Sequence, residues 1–205
     1  MVARTRAASA KAGGPHGHGG GDDGGFLVER LAFYESYHSN AANKVIHVIC
    51  IPLIVWSVLV ALRLVTFSVP NVEGFEANFG LLTTIAYGMF YLAADKSAGF
   101  TWCLFVGAPL YWLANQFAES SATTSSKLWW AFGAFVFGFY VQIHAGHYVF
   151  EKRKPALMDG FAEAMLSAPL FVWLEVIFFF GFRKDLRETV ERKARVLIAS
   201  YEKAS

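Results

Sequence analysis

Whatever chemistry this 205-residue chain performs, its histidines are the first place to look. The two cysteines, Cys50 and Cys103, lie in apolar stretches and read as small hydrophobes. Of the six histidines, His16 and His18 belong to the Gly-rich segment 1–25, read as a disordered, solvated tail. The other four form two pairs, His38 with His47 and His144 with His147. At i and i+3, His144 and His147 share a face of an α-helix, and Glu151 continues that face one turn later. His38 and His47 are nine apart, which on a straight helix turns them to opposite sides. The intervening Ser39-Asn40-Ala41-Ala42-Asn43 therefore predicts a break, with Asn40, Asn43 and His47 on one face after it. Neutral imidazoles suit iron, zinc, copper or nickel. Asn40, Asn43, Asp95 and Glu151 could orient such ligands or complete the set. Facing histidines can also ligate haem, and a histidine near a helix end is often just a hydrogen-bonded packing residue. Spacing alone leaves these readings open.

The elements that must position these residues belong in a membrane. The chain is 55% hydrophobic and only 17% charged, well below the usual charged share of about 25%. Its net charge of +2, with no basic stripe interleaved with aromatics, excludes nucleic acid as a partner. Four windows lack Asp, Glu, Lys and Arg: 45–62, 77–94, 97–118 and 128–150. Crossing a hydrocarbon core takes roughly 20 apolar residues, so these windows predict four spanning helices in an all-α bundle. Window 164–182 is interrupted by Pro169 and Glu175 and predicts a re-entrant or interfacial fifth helix broken near the proline. Positions 184–205 put Leu186, Val190, Ala194, Leu197 and Tyr201 on one face, an amphipathic tail helix. The chain thus divides into a tail (1–25), a membrane domain (26–183) and the tail helix (184–205).

Charge sets an orientation. Arg30 and Lys44 precede the first span, Lys96 stands in the second turn and Lys152-Arg153-Lys154 follows the fourth span, whereas 66–76 has no Lys or Arg. The positive-inside rule then places both termini and both histidine pairs at the cytoplasmic end. Topology alone brings the four histidines together.

At these residues the chain resembles a known family. Tyr37-His38-Ser39-Asn40, then Asn43-Lys44-Val45-Ile46-His47 and Ile51-Pro52, is similar to the opening motif of the membrane 2-hydroxy fatty acid dioxygenases of fungal phytosphingosine breakdown. Gln142-Ile143-His144-Ala145-Gly146-His147, Phe150-Glu151-Lys152-Arg153-Lys154-Pro155-Ala156-Leu157 and Ala168-Pro169-Leu170-Phe171-Val172-Trp173-Leu174-Glu175 extend the resemblance over about 27–183. It implies an endoplasmic-reticulum membrane enzyme that uses Fe(II) and molecular oxygen to shorten long-chain 2-hydroxy fatty acids by one carbon. It also implies His38, His47, His144 and His147 as the iron ligands, with Glu151 beside them. On this reading Lys44, Lys152, Arg153 and Lys154 would steer the anionic substrate head, and membrane lipid would surround the acyl tail. The rival class, a non-enzymatic membrane scaffold or lipid-binding protein, would keep the bundle but has no use for four histidines at one end.

Overall fold

The computed structural model describes residues 25–69, 76–152 and 161–204; the tail histidines His16 and His18, and Arg153 and Lys154, lie outside them. Among the described residues the fold is helical apart from one short hairpin, an all-α membrane bundle as the apolar windows predict.

Helix α1 (Phe26–Tyr37) stops at His38, and α2 (Ala41–Arg63) begins after Asn40, whose side chain accepts hydrogen bonds from the backbone N–H groups of Ala42 and Asn43. The break expected from the nine-residue spacing is therefore a helix boundary with an Asn cap. Strands β1 (Thr66–Ser68) and β2 (Glu76–Asn78) pair antiparallel, Thr66 opposite Asn78. Asn78 then caps α3 (Phe79–Ala94) through the N–H of Leu81. Asp95 alone separates α3 from α4 (Lys96–Trp102), and a π-helical turn, Cys103–Gly107, joins α4 to α5 (Ala108–Glu119). Helix α6 (Thr124–Val141) continues into a second π-helical segment, Gln142–Glu151, which ends where Lys152 turns left-handed at φ 56°. Helices α7 (Phe161–Phe179) and α8 (Lys184–Ala204) complete the chain.

Three of the four windows become continuous helical stretches long and apolar enough to cross a bilayer: 23 residues in α2, 24 across α4 and α5, and 28 across α6 and its π segment. Helix α3 is apolar but has 16 residues, about 24 Å at 1.5 Å per residue, because the hairpin takes the first two residues of its window. Helix α2 is the axis of the bundle and packs against α3, α5, α6 and α7. The outer face, with Trp112, Trp129, Trp130, Phe132 and Phe137 exposed, is the surface a lipid chain would meet.

The fifth apolar segment departs from expectation at one point. Helix α7 runs straight through Pro169, and the sharp bend comes later: α7 and α8 meet at 118°, at a corner holding Gly181 (φ 80°) and Arg183 (φ 56°). A proline within a helix leaves the carbonyl four residues earlier without its N–H partner. Here that carbonyl, of Met165, accepts a hydrogen bond from the Tyr87 hydroxyl at 3.2 Å, and the next one, of Leu166, accepts from Tyr91 at 2.8 Å. Neighbouring tyrosines on α3 thus satisfy the backbone, and the helix persists.

Past the corner, α8 lies along α1. Val190 is buried there in the core shared with Val28, Leu31 and the α7 residues Leu170, Phe171 and Leu174, Ala194 one turn on is buried too, and Tyr201 meets the ring of Tyr37. The face foreseen for the tail helix is the face that packs.

Candidate functional site

Two helix termini and one π segment build a buried pocket of imidazoles. His38 sits where α1 ends, His47 lies two turns into α2, and His147 lies in the π segment after α6. All three are buried, at 3%, 5% and 3% exposure, so each imidazole nitrogen needs a partner supplied by the protein or by a ligand. Their candidate ligand atoms all lie within 4.8 Å of one another.

The ring tautomers follow from the hydrogen bonds. His38 Nδ1 lies 2.7 Å from the Tyr34 carbonyl oxygen and His47 Nδ1 lies 2.9 Å from that of Asn43, each one helical turn back. A carbonyl only accepts, so both Nδ1 atoms carry the proton and both Nε2 atoms present a lone pair. Those two Nε2 atoms face each other at 3.2 Å. Two acceptors at that distance repel unless a proton or a cation lies between them. Burial and the neighbouring His47 push the His38 ring well below the ordinary histidine range, which disfavours the extra proton. His147 adds a third ring at 4.9 and 5.2 Å from the other two centroids, and its buried Nδ1 has no hydrogen-bond partner. A metal holding nitrogens at about 2.1 Å separates adjacent ligands by about 3.0–3.4 Å, so the 3.2 Å spacing and the partnerless nitrogen fit a metal-binding donor set.

Glu151 locks the ligand-bearing segments together. One carboxylate oxygen accepts from the backbone N–H and hydroxyl of Ser39, at 2.9 and 2.6 Å. The other accepts from the backbone N–H of Asn40 and the Nδ2 of Asn43, each at 3.0 Å. Four donors converge on one carboxylate at the N-terminus of α2, where the helix dipole also favours negative charge. The end of the π segment, which carries His147, is thereby tied to the joint between His38 and His47. Gly146 makes the approach possible: a Cβ there would collide with Asn43 Oδ1. The Asn-His and Gly-His pairs of the two motifs fit against each other.

The structure does not bring every expected residue to this pocket. His144 is exposed and stacks on Tyr140 at 5.3 Å, outside the group of three. The reason is the π turn: with hydrogen bonds reaching i+5, each residue rotates the chain less than in an α-helix, so positions three apart swing away from a common face while positions four apart, His147 and Glu151, approach one. Asp95 is engaged elsewhere. It caps α4 through the Ala98 N–H and receives a two-pronged bond from Arg183, at 3.2 and 2.9 Å. Burial alone would raise its carboxyl, yet these bonds hold it at about 2. Lys44 is not available for a substrate head either: its ammonium is held between Glu35 and Glu175, the latter at 3.1 Å. Burial, with help from Glu175 and against Lys44, pushes the Glu35 carboxyl up to about 8. Lys152 is exposed.

Sequence reasoning passed over three contributors: Ser39, which supplies two of the four donors to Glu151, the Glu35–Lys44–Glu175 group, and Tyr34. The tyrosine lies one turn before His38 and stacks on it at 4.0 Å with ring planes 17° apart, a pairing the i, i+4 spacing could have signalled.

From the imidazoles a cavity of about 350 Å³ runs into the bundle. Its wall along α2 reaches from His47 past Ile51 and Val55 to Leu59, twelve positions on and so about 18 Å along the helix. Most of that wall is apolar; the three histidines, Tyr34, Gln142 and Arg30 are among its polar residues. A long aliphatic chain with a polar head suits such a shape.

Comparison with known proteins points the same way. A family model described as 2-hydroxy-palmitic acid dioxygenase Mpo1-like matches residues 26–180. The chain is 32% identical over 170 residues to the 2-hydroxy-palmitic acid dioxygenase MPO1 of Saccharomyces cerevisiae, across 83% of this chain and 90% of that one. No solved structure matches.

Proposed function

Because the chain belongs to the Mpo1-like family, we propose that it is a membrane dioxygenase that converts a long-chain 2-hydroxy fatty acid to the fatty acid one carbon shorter, at an Fe(II) centre held by His38, His47 and His147. The observation that carries this reading is the pair of Nε2 lone pairs facing each other at 3.2 Å at the head of an apolar cavity. Iron held by these three histidines would supply redox chemistry, and the substrate would supply the electrons, so that no 2-oxoglutarate would be needed. The protein does the rest. Tyr34 and Asn43 carbonyls hold two imidazoles in the tautomer that frees Nε2. Glu151 fixes the relative position of the segments bearing the ligands. The cavity wall of α2 aligns the acyl chain and keeps water from the apolar stretch.

Lysine and arginine at the histidine end of the chain support a cytoplasmic site with both termini on that side; the endoplasmic-reticulum membrane and sphingoid-base breakdown as the source of substrate are part of the proposal through the family resemblance alone. Protease protection of terminal tags in sealed microsomes tests the orientation; a protected C-terminal tag beside an accessible N-terminal one overturns it.

The functional test is oxygen uptake by purified protein given 2-hydroxypalmitic acid, with metal analysis alongside. Stoichiometric iron and substrate-dependent uptake abolished by a chelator are expected. A scaffold or lipid-binding protein would carry no stoichiometric metal and consume no oxygen.

A further inference from the structure

Tyr34 stands beside the imidazoles with its hydroxyl unaccounted for. The residue is 7% exposed, and its hydroxyl is fully buried with no hydrogen-bond partner. Its ring is fixed on two sides, stacked on His38 at 4.0 Å and tilted against Phe171 at 5.4 Å, and the residue lines the cavity. Its backbone is already employed, since the Tyr34 carbonyl orients His38. A buried hydroxyl left without a partner is costly to the fold. A stacked imidazole and one apolar neighbour would be served as well by phenylalanine, so packing does not account for the oxygen.

We infer that the Tyr34 hydroxyl is a substrate-binding donor that hydrogen-bonds the carboxylate of the 2-hydroxy acid. The inference rests on the substrate class proposed above. It follows from the donor–acceptor arithmetic: the cavity offers a polar head a phenol beside the three imidazoles, with Arg30 also in its lining, while Lys44 is already held between Glu35 and Glu175. An aliphatic tail has no acceptor, so the partner of a phenol in this wall is the head group. A bond from a neutral donor to an anionic acceptor is worth more than a neutral pair, and its loss weakens binding by about 10- to 100-fold.

The test is Tyr34→Phe, which keeps the ring and removes only the oxygen. Binding of radiolabelled 2-hydroxypalmitic acid to the full-length, metal-loaded protein is measured without oxygen, so no turnover intervenes, and hexadecane-1,2-diol serves as a competitor that keeps the hydroxyl but lacks the carboxylate. Expected are a 10- to 100-fold loss of affinity for the acid, an unchanged affinity for the diol, unchanged metal content, and a melting temperature of the substrate-free variant equal to or above that of the parent. A merely structural hydroxyl would lower that melting temperature and spare the binding. Unchanged affinity for the acid would mean that a water satisfies the phenol, and equal losses for acid and diol would move the contact to the 2-hydroxyl; either result overturns the proposal. If the parent protein binds the acid but takes up no oxygen with it, the dioxygenase reading fails while the Tyr34 contact is still decided by the binding curve.

Discussion

The two ends of the bundle are both polar, and they are polar in different ways. At the hairpin end, Arg63 bonds Asn115 and Glu119, Asn78 bonds Tyr111, and the ammonium of the buried Lys127 donates to the Ala118 carbonyl. Each of those groups has found a protein partner. At the histidine end, Tyr34 Oη, Asn43 Oδ1 and His147 Nδ1 are buried without one, and two imidazole lone pairs oppose each other. Burial of polar groups is therefore no sign of function by itself. A satisfied network holds helices together; a network left short of partners, in a wall that could have been apolar, is arranged for something that arrives from outside.

Substitutions at the two ends should separate accordingly. The largest effect belongs to the imidazoles: His47→Ala or His147→Ala should abolish bound metal and oxygen uptake with 2-hydroxypalmitic acid while the protein remains inserted in the membrane, because lipid burial and helix packing hold the bundle. Metal analysis and uptake on the same preparation decide it, and full activity in both variants removes the basis for a metal site. Glu151→Gln comes next. Losing the charge that gathers four donors should cost about 10–100-fold in metal affinity, with partial recovery in excess iron, as for a residue that orients ligands without binding metal.

A third, moderate effect concerns pH. The Glu35 carboxyl rises from its ordinary 4.5 to about 8 on folding, so between those values the folded chain holds a proton that the unfolded chain has lost. That contribution to stability is complete below pH 4.5 and disappears as pH rises through 8. Melting temperature in detergent should fall across that interval, and Glu35→Gln should flatten the slope. The smallest effects are expected where residues sit apart from the imidazoles. Asp95→Asn breaks a partly exposed ion pair with Arg183 and should cost about 1 kcal/mol or less, with metal content untouched. His144→Ala removes an exposed ring stacked on Tyr140 and should leave metal content near that of the parent. Metal loss in His144→Ala would bring that histidine back among the ligands and blur the contrast between the ends.

Much of this architecture was legible because it is written in local signals. Charge-free windows mark the apolar helices, and the nine-residue interval with Asn40 inside it marks the joint between α1 and α2. What escaped depends on contacts between distant segments. Nothing in the composition of Gln142–Glu151 distinguishes i+5 from i+4 hydrogen bonding, so the shared face of His144 and His147 was reasoned on the wrong helix. Pro169 reads locally as a break, and the carbonyl it leaves without a helical partner is bonded by the hydroxyl of Tyr87, 78 positions away. Lys44 looked like a free cation because Glu175 lies far along the chain.

The docking of α8 along α1 has a consequence in time. His38 is among the earliest of these residues to be synthesised, yet it hangs from a twelve-residue helix whose buried face is covered by α7 and by the last helix of the chain. A nascent chain emerging from the ribosome can thread α2 through α6 into the bilayer while α1 still lacks the surface it packs on. The packing surface that steadies α1, and with it His38, is therefore complete only once α7 and α8 have been made.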